Sequence, residues 1–198
     1  MTHGGPLLAV DTSASKSGVA LVAATAAAPG AAASAAVLAA SYLEPGRCRG
    51  EELADCVRGI LDRTETRIED LAALAVSRGP GSFTGVRVGL ALIRGLALVD
   101  DLPVVGLGSL ELVALAARAP AGRLCTLIEA GRDKLYAAGY ERTEQALDEL
   151  FEGTVVGDDE LEKGVVTLKD MDDGQQEVID VQMIGSTIED KLELSGRN

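Results

Sequence analysis

A glycine-rich loop between an apolar run and a helical pattern constrains the fold most. The apolar run is 71–76, and the helical pattern continues to about Val99. A strand, a tight loop and a helix in this order place backbone N–H groups at the positive end of a helix dipole. Gly79 and Gly81 supply backbone conformations closed to other residues, and Ser82 can cap the helix. The segment is therefore either an anion-binding loop or a tight turn before a closely packed helix.

Up to about Tyr140, the remainder of the chain alternates between strand and helix patterns. Leu53, Val57 and Ile60 recur at helical spacing and predict an amphipathic helix over 51–64. The pattern predicts strands over 7–10, 18–23, 35–41, 71–76, 103–107, 124–129 and 135–140, and further helices over 84–99 and 109–118. A meander followed by alternating helices and strands predicts an α/β fold with a mixed sheet.

Charge and composition change sharply near residues 141–150. Residues 1–140 carry a net charge of −1 and residues 141–198 a net charge of −12, and no alanine follows Ala146. We therefore divide the chain into an N-terminal lobe at 1–118, the start of a second lobe at 119–150 and an acidic segment at 151–198. Strand patterns on both sides of Asp172-Asp-Gly174 predict a hairpin in that last segment.

Composition excludes several classes of protein. The overall charge of −13 argues against a broad nucleic-acid-binding surface, because phosphate contacts need clustered Lys and Arg. Three cysteines without metal-like spacing fit reduced thiols in the cytoplasm. We recognise neither a signal peptide nor an apolar run long enough to span a bilayer, so we expect a cytoplasmic protein without membrane contact.

Catalytic constellations are scarce in the sequence. His3 is the single histidine, so a histidine-based metal site lacks its ligands, and a Ser-His-Asp or Cys-His arrangement would depend on His3, near the start of the sequence. Asp11, Thr12 and Ser13 follow the first strand and could hold a magnesium-bound phosphate. The alternative is a polar turn closed by the Asp and Ser side chains. Together with Gly79, Gly81 and Ser82, these residues form a candidate nucleotide site.

Four motifs resemble one protein family. Leu-Ala-Val-Asp-Thr-Ser at 8–13, Gly-Glu-Glu-Leu-Ala-Asp at 50–55, the glycine loop at 78–89 and Gly-Ser-Leu-Glu at 108–111 occur in the order and spacing of TsaB-type (YeaZ) subunits. These subunits belong to the bacterial system that makes threonylcarbamoyladenosine in tRNA. The likeness runs from about Leu7 to Tyr140. It implies the actin-like, sugar-kinase-like ATPase superfold with two related lobes, of which the second is truncated or divergent here.

The resemblance implies a non-catalytic subunit that scaffolds a catalytic homologue as a heterodimer, beside an ATPase subunit. It also implies that tRNA is reached only through the complex, and that ATP is used by the complex rather than held tightly by this chain. Two alternatives are a stand-alone nucleotide-dependent enzyme using Asp11 and the 79–89 loop, and a peptidase, against which the lack of a nucleophile–base pair argues.

The family forms its heterodimer through the N-terminal lobe, which the resemblance carries to the 51–64 and 84–99 helices. Gly85 and Gly89 lie four residues apart, on one helical face where another helix could approach closely. The expected interface comprises Leu53, Val57, Ile60, Gly85, Arg87 and Gly89. The same surface would allow the free protein to pair with itself.

Overall fold

The computed structural model describes residues 5–25, 34–44, 50–117, 119–130, 134–144, 146–157, 165–169 and 176–180. The chain divides into two compact units, Met1–Ser109 and Leu110–Asn198. No helix among the described residues is long and apolar enough to cross a membrane.

The first unit is built on a five-stranded mixed sheet in the order β3-β2-β1-β4-β5. Its strands are β1 (Leu7–Asp11), β2 (Ser17–Thr25), β3 (Ser34–Leu43), β4 (Ala73–Ser77) and β5 (Val104–Leu107). β1, β2 and β3 form an antiparallel meander, whereas β4 runs parallel to β1 and β5 parallel to β4. The predicted mixed sheet is confirmed.

Two helices of the first unit pack on the sheet, α1 (Gly50–Arg63) and α2 (Phe83–Asp100). Alternate residues of the central strand β1 are buried, because one face of the sheet meets these helices. The core beneath them contains Leu8, Val10, Val19, Leu21, Leu53, Val57, Ile60, Leu61, Leu71, Leu74, Val76, Ile93 and Leu102. Aliphatic side chains alone make up this core.

Most predicted strands are found within one to two residues of their predicted bounds, and the start of β4 differs for a structural reason. The apolar run from Leu71 predicts a strand start there, yet β4 begins at Ala73. A short 3₁₀ helix occupies Ile68–Asp70, and the Ala72 N–H donates to the Pro6 carbonyl. Leu71 is fully buried without being part of a strand, because tertiary packing rather than strand pairing covers it.

The second unit contains a three-stranded antiparallel sheet in the order β6-β7-β8. The strands are β6 (Gly122–Glu129), β7 (Lys134–Arg142) and β8 (Leu147–Gly157), and helix α3 (Ser109–Ala116) precedes them. Leu110 and Ala114 of α3 form a small core with Ala138 and Tyr140 of β7. The break between units therefore comes at the first residue of α3, whereas the sequence analysis placed this helix in the first lobe, up to residue 118.

Two further strands lie in the acidic segment. β9 (Val165–Lys169) and β10 (Gln176–Asp180) pair antiparallel, with Lys169 opposite Gln176. This pairing confirms the predicted hairpin, although its turn at Asp172-Asp-Gly174 lies outside the described residues.

Candidate functional site

Two loops meet where β1 and β4 end at the same edge of the sheet. β1 ends at Asp11 and its parallel neighbour β4 ends at Ser77. The Thr12 N–H donates to the Ser77 hydroxyl at 3.3 Å, and the Ser82 N–H donates to the Ser13 carbonyl at 2.7 Å. The structure thus brings the candidate nucleotide-site residues of both loops together.

The first loop is a closed polar turn. A carboxylate oxygen of Asp11 accepts hydrogen bonds from the Ser13 N–H at 2.9 Å and from the Ser13 hydroxyl at 2.7 Å. Thr12 and Ser13 are both buried. This geometry is that of the polar turn held by Asp and Ser side chains, one of the two alternatives for this motif.

The second loop needs its glycines for conformation and for space. Gly79 has a φ of 93° and Gly81 a φ of 154°, values that L side chains rarely adopt. A Cβ at Gly81 would also lie less than 3.0 Å from the Ser13 carbonyl oxygen. The glycine at 81 therefore allows the two loops to touch.

Helix α2 starts directly after this contact. Ser82 is its N-cap, and the Ser82 hydroxyl accepts a hydrogen bond from the Gly85 N–H at 3.2 Å. The positive end of the helix dipole points to this edge of the sheet. Because the Ser82 N–H is already bonded to Ser13, the junction is held by the chain's own polar groups.

Several buried hydroxyls of the first unit were not predicted from the sequence. Ser17, Ser77 and Ser109 are each 1% exposed. Among the described residues, the hydroxyls of Thr12, Ser17 and Ser109 have no hydrogen-bond partner. The one sequence pattern that could have indicated such a buried hydroxyl is a serine directly after an apolar strand, as at Ser77.

The expected partner interface needs correction on α1. Leu53 and Ile60 are fully buried and Val57 is 4% exposed, all within the core of the first unit. These side chains are unavailable to a partner. The helical periodicity that identified them marks the face packed on the sheet, and the outer face of α1 carries charged residues such as Asp55 and Arg58, which form an ion pair at 2.9 Å.

The groove expected at Gly85 and Gly89 also needs correction. A Cβ at Gly85 would lie less than 3.0 Å from the Thr12 carbonyl oxygen, and one at Gly89 less than 3.0 Å from Thr12 Oγ1. The close neighbour of these two glycines is therefore Thr12 of the same unit. They allow α2 to cross the end of β1 rather than open a groove to solvent.

Arg87 lies on a different face of α2, which is exposed along its length. Its guanidinium carbon stands 3.5 Å from the centroid of the Phe83 ring. Exposed residues continue at helical spacing, and we call this set the outer stripe of α2. The outer stripe comprises Phe83, Arg87, Ala91, Arg94, Gly95 and Leu98.

Small residues at the middle of the outer stripe leave room for a close neighbour. A Cβ at Gly95 would meet no atom within 4 Å, in contrast to Gly85 and Gly89. Leu98, one turn beyond Gly95, is 86% exposed, and Phe83, at the start of the helix, is 69% exposed. The stripe can accept a helix of another chain, since helix axes approach closest over small residues.

Two titratable groups with shifted pKa values belong to the second unit. Burial raises the pKa of Tyr140 to about 12, and the nearby carboxylates Glu149 and Glu111 add to the effect. Desolvation likewise raises the pKa of the Cys125 thiol above its ordinary value, which disfavours the thiolate. Within the described ranges, no group of three His, Cys, Asp or Glu side chains could hold a metal ion. His3 lies outside those ranges.

Comparison with known proteins gives one matching family and consistent relatives. The model of the family TsaD, tRNA N6-adenosine threonylcarbamoyltransferase, matches residues 46–183. The chain is 38% identical over 99 residues to the tRNA threonylcarbamoyladenosine biosynthesis protein TsaB of Escherichia coli (strain K12), which covers 49% of this chain and 43% of that protein. It is 32% identical over 94 residues to the protein of the same name from Bacillus subtilis (strain 168), covering 48% and 41%. The chain therefore spans less than half the length of these curated relatives.

Two solved structures of YeaZ-type proteins are also similar to this chain. YeaZ from Pseudomonas aeruginosa superposes with a TM-score of 0.62 at 29% identity, covering 76% of this chain and 67% of that one. A second P. aeruginosa structure, described as similar to peptidase YeaZ, gives a TM-score of 0.63 at 28% identity, covering 77% and 67%. These likenesses and the mixed sheet confirm the predicted actin-like fold. The family match also continues beyond Tyr140, where the likeness seen in the motifs ended.

Proposed function

Because this chain belongs to the TsaD family and is of the TsaB (YeaZ) type within it, we propose that it takes part in the synthesis of threonylcarbamoyladenosine in tRNA. It acts as a partner subunit that binds a catalytic homologue and supports its activity. The chain transfers no group by itself. ATP and tRNA are handled by the assembled complex, which includes a separate ATPase subunit. The names of the curated TsaB relatives support the part in threonylcarbamoyladenosine synthesis.

The outer stripe of α2 is the observation that carries the scaffolding role. Leu98 and Phe83 are among the most exposed large apolar side chains in the described residues. Burying such side chains stabilises an interface by about 25 cal/mol per Å² of apolar area. Arg87 and Arg94 lie beside them and can pair with carboxylates of a partner, which fixes register more than it adds affinity. We therefore move the proposed interface from the inner face of α2 to its outer stripe.

The loops at the sheet edge have a different role in this proposal. The Asp11 carboxylate and the Ser82 N–H, two of the groups expected to bind a nucleotide, make hydrogen bonds to Ser13 instead. This arrangement supports a junction that fixes α2 against β1. Nucleotide binding by the isolated chain is the alternative, and titration calorimetry with Mg-ATP tests it. Saturable binding that is lost in Asp11→Asn would favour a stand-alone nucleotide-dependent enzyme.

Substitutions at one position of the outer stripe test the proposal. The chain is co-expressed with its catalytic homologue, and the dissociation constant is measured for wild type, Gly95→Ala and Gly95→Leu. We expect Gly95→Leu to weaken association at least tenfold, because a leucine fills the open position. Gly95→Ala is the matched control and should change the affinity less than threefold.

Monomer stability separates an interface effect from misfolding. Position 95 is exposed, so both variants should unfold at a temperature equal to or above that of wild type. Light scattering of the free protein shows whether it self-associates and whether Gly95→Leu also prevents this. Unchanged affinity of the Gly95→Leu and Leu98→Glu variants for the catalytic homologue would rule out the outer stripe as the interface.

A further inference from the structure

The guanidinium of Arg87 is stacked on an aromatic ring of its own helix. Arg87 follows Phe83 by four residues, so the two side chains lie on the same face of α2. The guanidinium carbon stands 3.5 Å from the ring centroid, which places the cation over the face of the ring rather than beside its edge. Both residues are exposed, so the stacked pair is open to a binding partner.

The two arginines of the outer stripe have no carboxylate partner in the part of the chain that the structure describes. Arg58 and Arg67 each form an ion pair there, whereas no carboxylate lies within ion-pair distance of Arg87 or Arg94. The outer stripe itself contains no acidic residue. It therefore presents two positive charges, about two helical turns apart, to the molecule that covers it.

The two arginines differ in how much freedom they lose on binding. Stacking on Phe83 already restricts the Arg87 side chain and leaves the N–H groups at the guanidinium edge able to donate. Arg94 has no ring contact among the described residues, so its side chain must be ordered when a partner binds. An exposed ion pair changes affinity by less than about fivefold, because ordering two long side chains offsets the attraction. For Arg87 part of this ordering precedes binding, which strengthens the contact.

We propose that Arg87 binds a carboxylate of the catalytic homologue and is the residue of the outer stripe that selects this partner. The Arg87 guanidinium donates two parallel N–H hydrogen bonds to the two carboxylate oxygens. Phe83 is the positioning residue that holds the guanidinium, and Arg94 adds a weaker contact two turns along. The inference rests on the proposed function, because Arg87 meets the partner only if the outer stripe is the interface.

A protein carboxylate suits this position better than a phosphate of RNA. Phosphate contacts need clustered cations, whereas residues 1–140 carry a net charge of −1. The exposed apolar side chains of Phe83 and Leu98 lie at the two ends of the stripe. Aromatic residues and arginine are enriched in protein interfaces and dominate their binding energies. The combination on the outer stripe is therefore that of a protein-binding surface.

A double-mutant cycle on the heterodimer with the catalytic homologue tests the role of Phe83. We expect Arg87→Gln to raise the dissociation constant about 10- to 100-fold, and Phe83→Leu, which keeps an apolar side chain, to raise it about 3- to 30-fold. Phe83→Leu/Arg87→Gln should bind within about twofold of Arg87→Gln alone, because the ring acts through the cation. Phe83→Leu/Arg94→Gln is the matched control, in which the two effects should multiply.

Conservative substitutions separate geometry from charge. Phe83→Tyr keeps the ring and should bind within about twofold of wild type. Arg87→Lys keeps the charge but loses the planar fork, and should bind at least fivefold more weakly, whereas Arg94→Lys should stay within about twofold. Both side chains of the stacked pair are exposed, so the unfolding temperature of the free variants should hardly change.

Three outcomes would overturn the proposal. Arg87→Gln could bind the catalytic homologue as tightly as wild type. The effects of Phe83→Leu and Arg87→Gln could multiply, which would make the ring an independent apolar contact. Arg87→Gln could instead leave the heterodimer intact and weaken its binding to a labelled tRNA transcript, which would make the ligand a phosphate. Gly95→Leu, measured beside these variants, separates this failure from that of the proposed function: weakened association in Gly95→Leu alone keeps the outer stripe as the interface and refutes only the role of Arg87.

Discussion

Replacing Gly89 by alanine should destabilise the first unit, and removing the Thr12 side chain should restore it. The new Cβ would lie less than 3.0 Å from Thr12 Oγ1, and 3.4 Å from both Cβ and Cγ2 of that residue. Thr12 is fully buried, so its side chain cannot swing into solvent. Overpacking of this kind costs about 1–3 kcal/mol. The gain in helix propensity from Gly to Ala, about 1 kcal/mol, offsets only part of that cost.

Thr12→Ala tests whether this overlap is the cause of the destabilisation. It removes Thr12 Oγ1, which overlaps with the new Cβ at position 89, and leaves the Cβ of residue 12 at an ordinary contact distance from it. Its own effect should be small. The lost methyl group costs about 1 kcal/mol, whereas removing a buried hydroxyl without a partner in the described residues recovers a similar amount. The double variant Thr12→Ala/Gly89→Ala should therefore be more stable than the sum of the single changes by about 1–3 kcal/mol.

Two further glycines of α2 serve as controls in the same assay. Gly95→Ala meets no atom within 4 Å and should stabilise the helix by about 0.5–1 kcal/mol. Gly85→Ala would press on the Thr12 carbonyl oxygen, which is backbone, so Thr12→Ala cannot rescue it. Urea unfolding followed by far-UV circular dichroism measures all variants. A Gly89→Ala variant as stable as Gly95→Ala, or equal rescue of Gly85→Ala and Gly89→Ala by Thr12→Ala, would refute the clash between position 89 and Thr12 Oγ1.

Two other predictions concern the cap of α2 and the core of the second unit. Ser82→Ala removes the hydroxyl that accepts from the Gly85 N–H and should cost about 1 kcal/mol in urea unfolding, whereas Ser15→Ala, in the exposed turn, should cost almost nothing. The folded pKa of Tyr140, raised to about 12, exceeds that of an unfolded tyrosine, so the folded state holds the proton longer and stability falls as pH rises from about 10 to 12. Thermal unfolding between pH 10 and 12 should show a fall in the unfolding temperature of the wild type and a smaller fall for Tyr140→Phe. An equal fall in both proteins would contradict the prediction.

Local patterns predicted most of the fold. The period of Leu53, Val57 and Ile60 identified α1, and the glycine loop identified the start of α2 at Ser82, because these signals depend on neighbours in the sequence. The strand order of the first sheet agrees with the meander and the helix–strand alternation. The shift of β4 from Leu71 to Ala73 was not predictable, since it depends on a hydrogen bond to the distant Pro6 carbonyl.

The sequence predicted which residues form the site, but not whether each of them faces another protein or the same chain. Paired glycines indicate that something packs closely, yet they do not say whether the neighbour is another protein or the same chain. Gly85 and Gly89 contact Thr12, which lies far earlier in the sequence, and of the three glycines in α2 only Gly95 faces open space. Apolar residues at helical spacing were likewise assigned to a partner although they form the core. A partner face is recognised only after the helix has been placed on its sheet.

The strand order of the first sheet also determines when this lobe can form during synthesis. β1 lies at the centre, yet its parallel neighbour β4 follows only after β2, β3 and α1 in the chain. The β1–β2–β3 meander needs only local turns and can form as soon as it leaves the ribosome, but α2 and β4 cannot close over it until Asp100, the last residue of α2, has been made. Closing a connection of this length is slow compared with hairpin formation. The nascent chain therefore passes through a stage in which α1 can cover β2 and β3 but the apolar face of β1 is not yet covered by α2, and this interval is when the lobe is most exposed to misassembly and to chaperones.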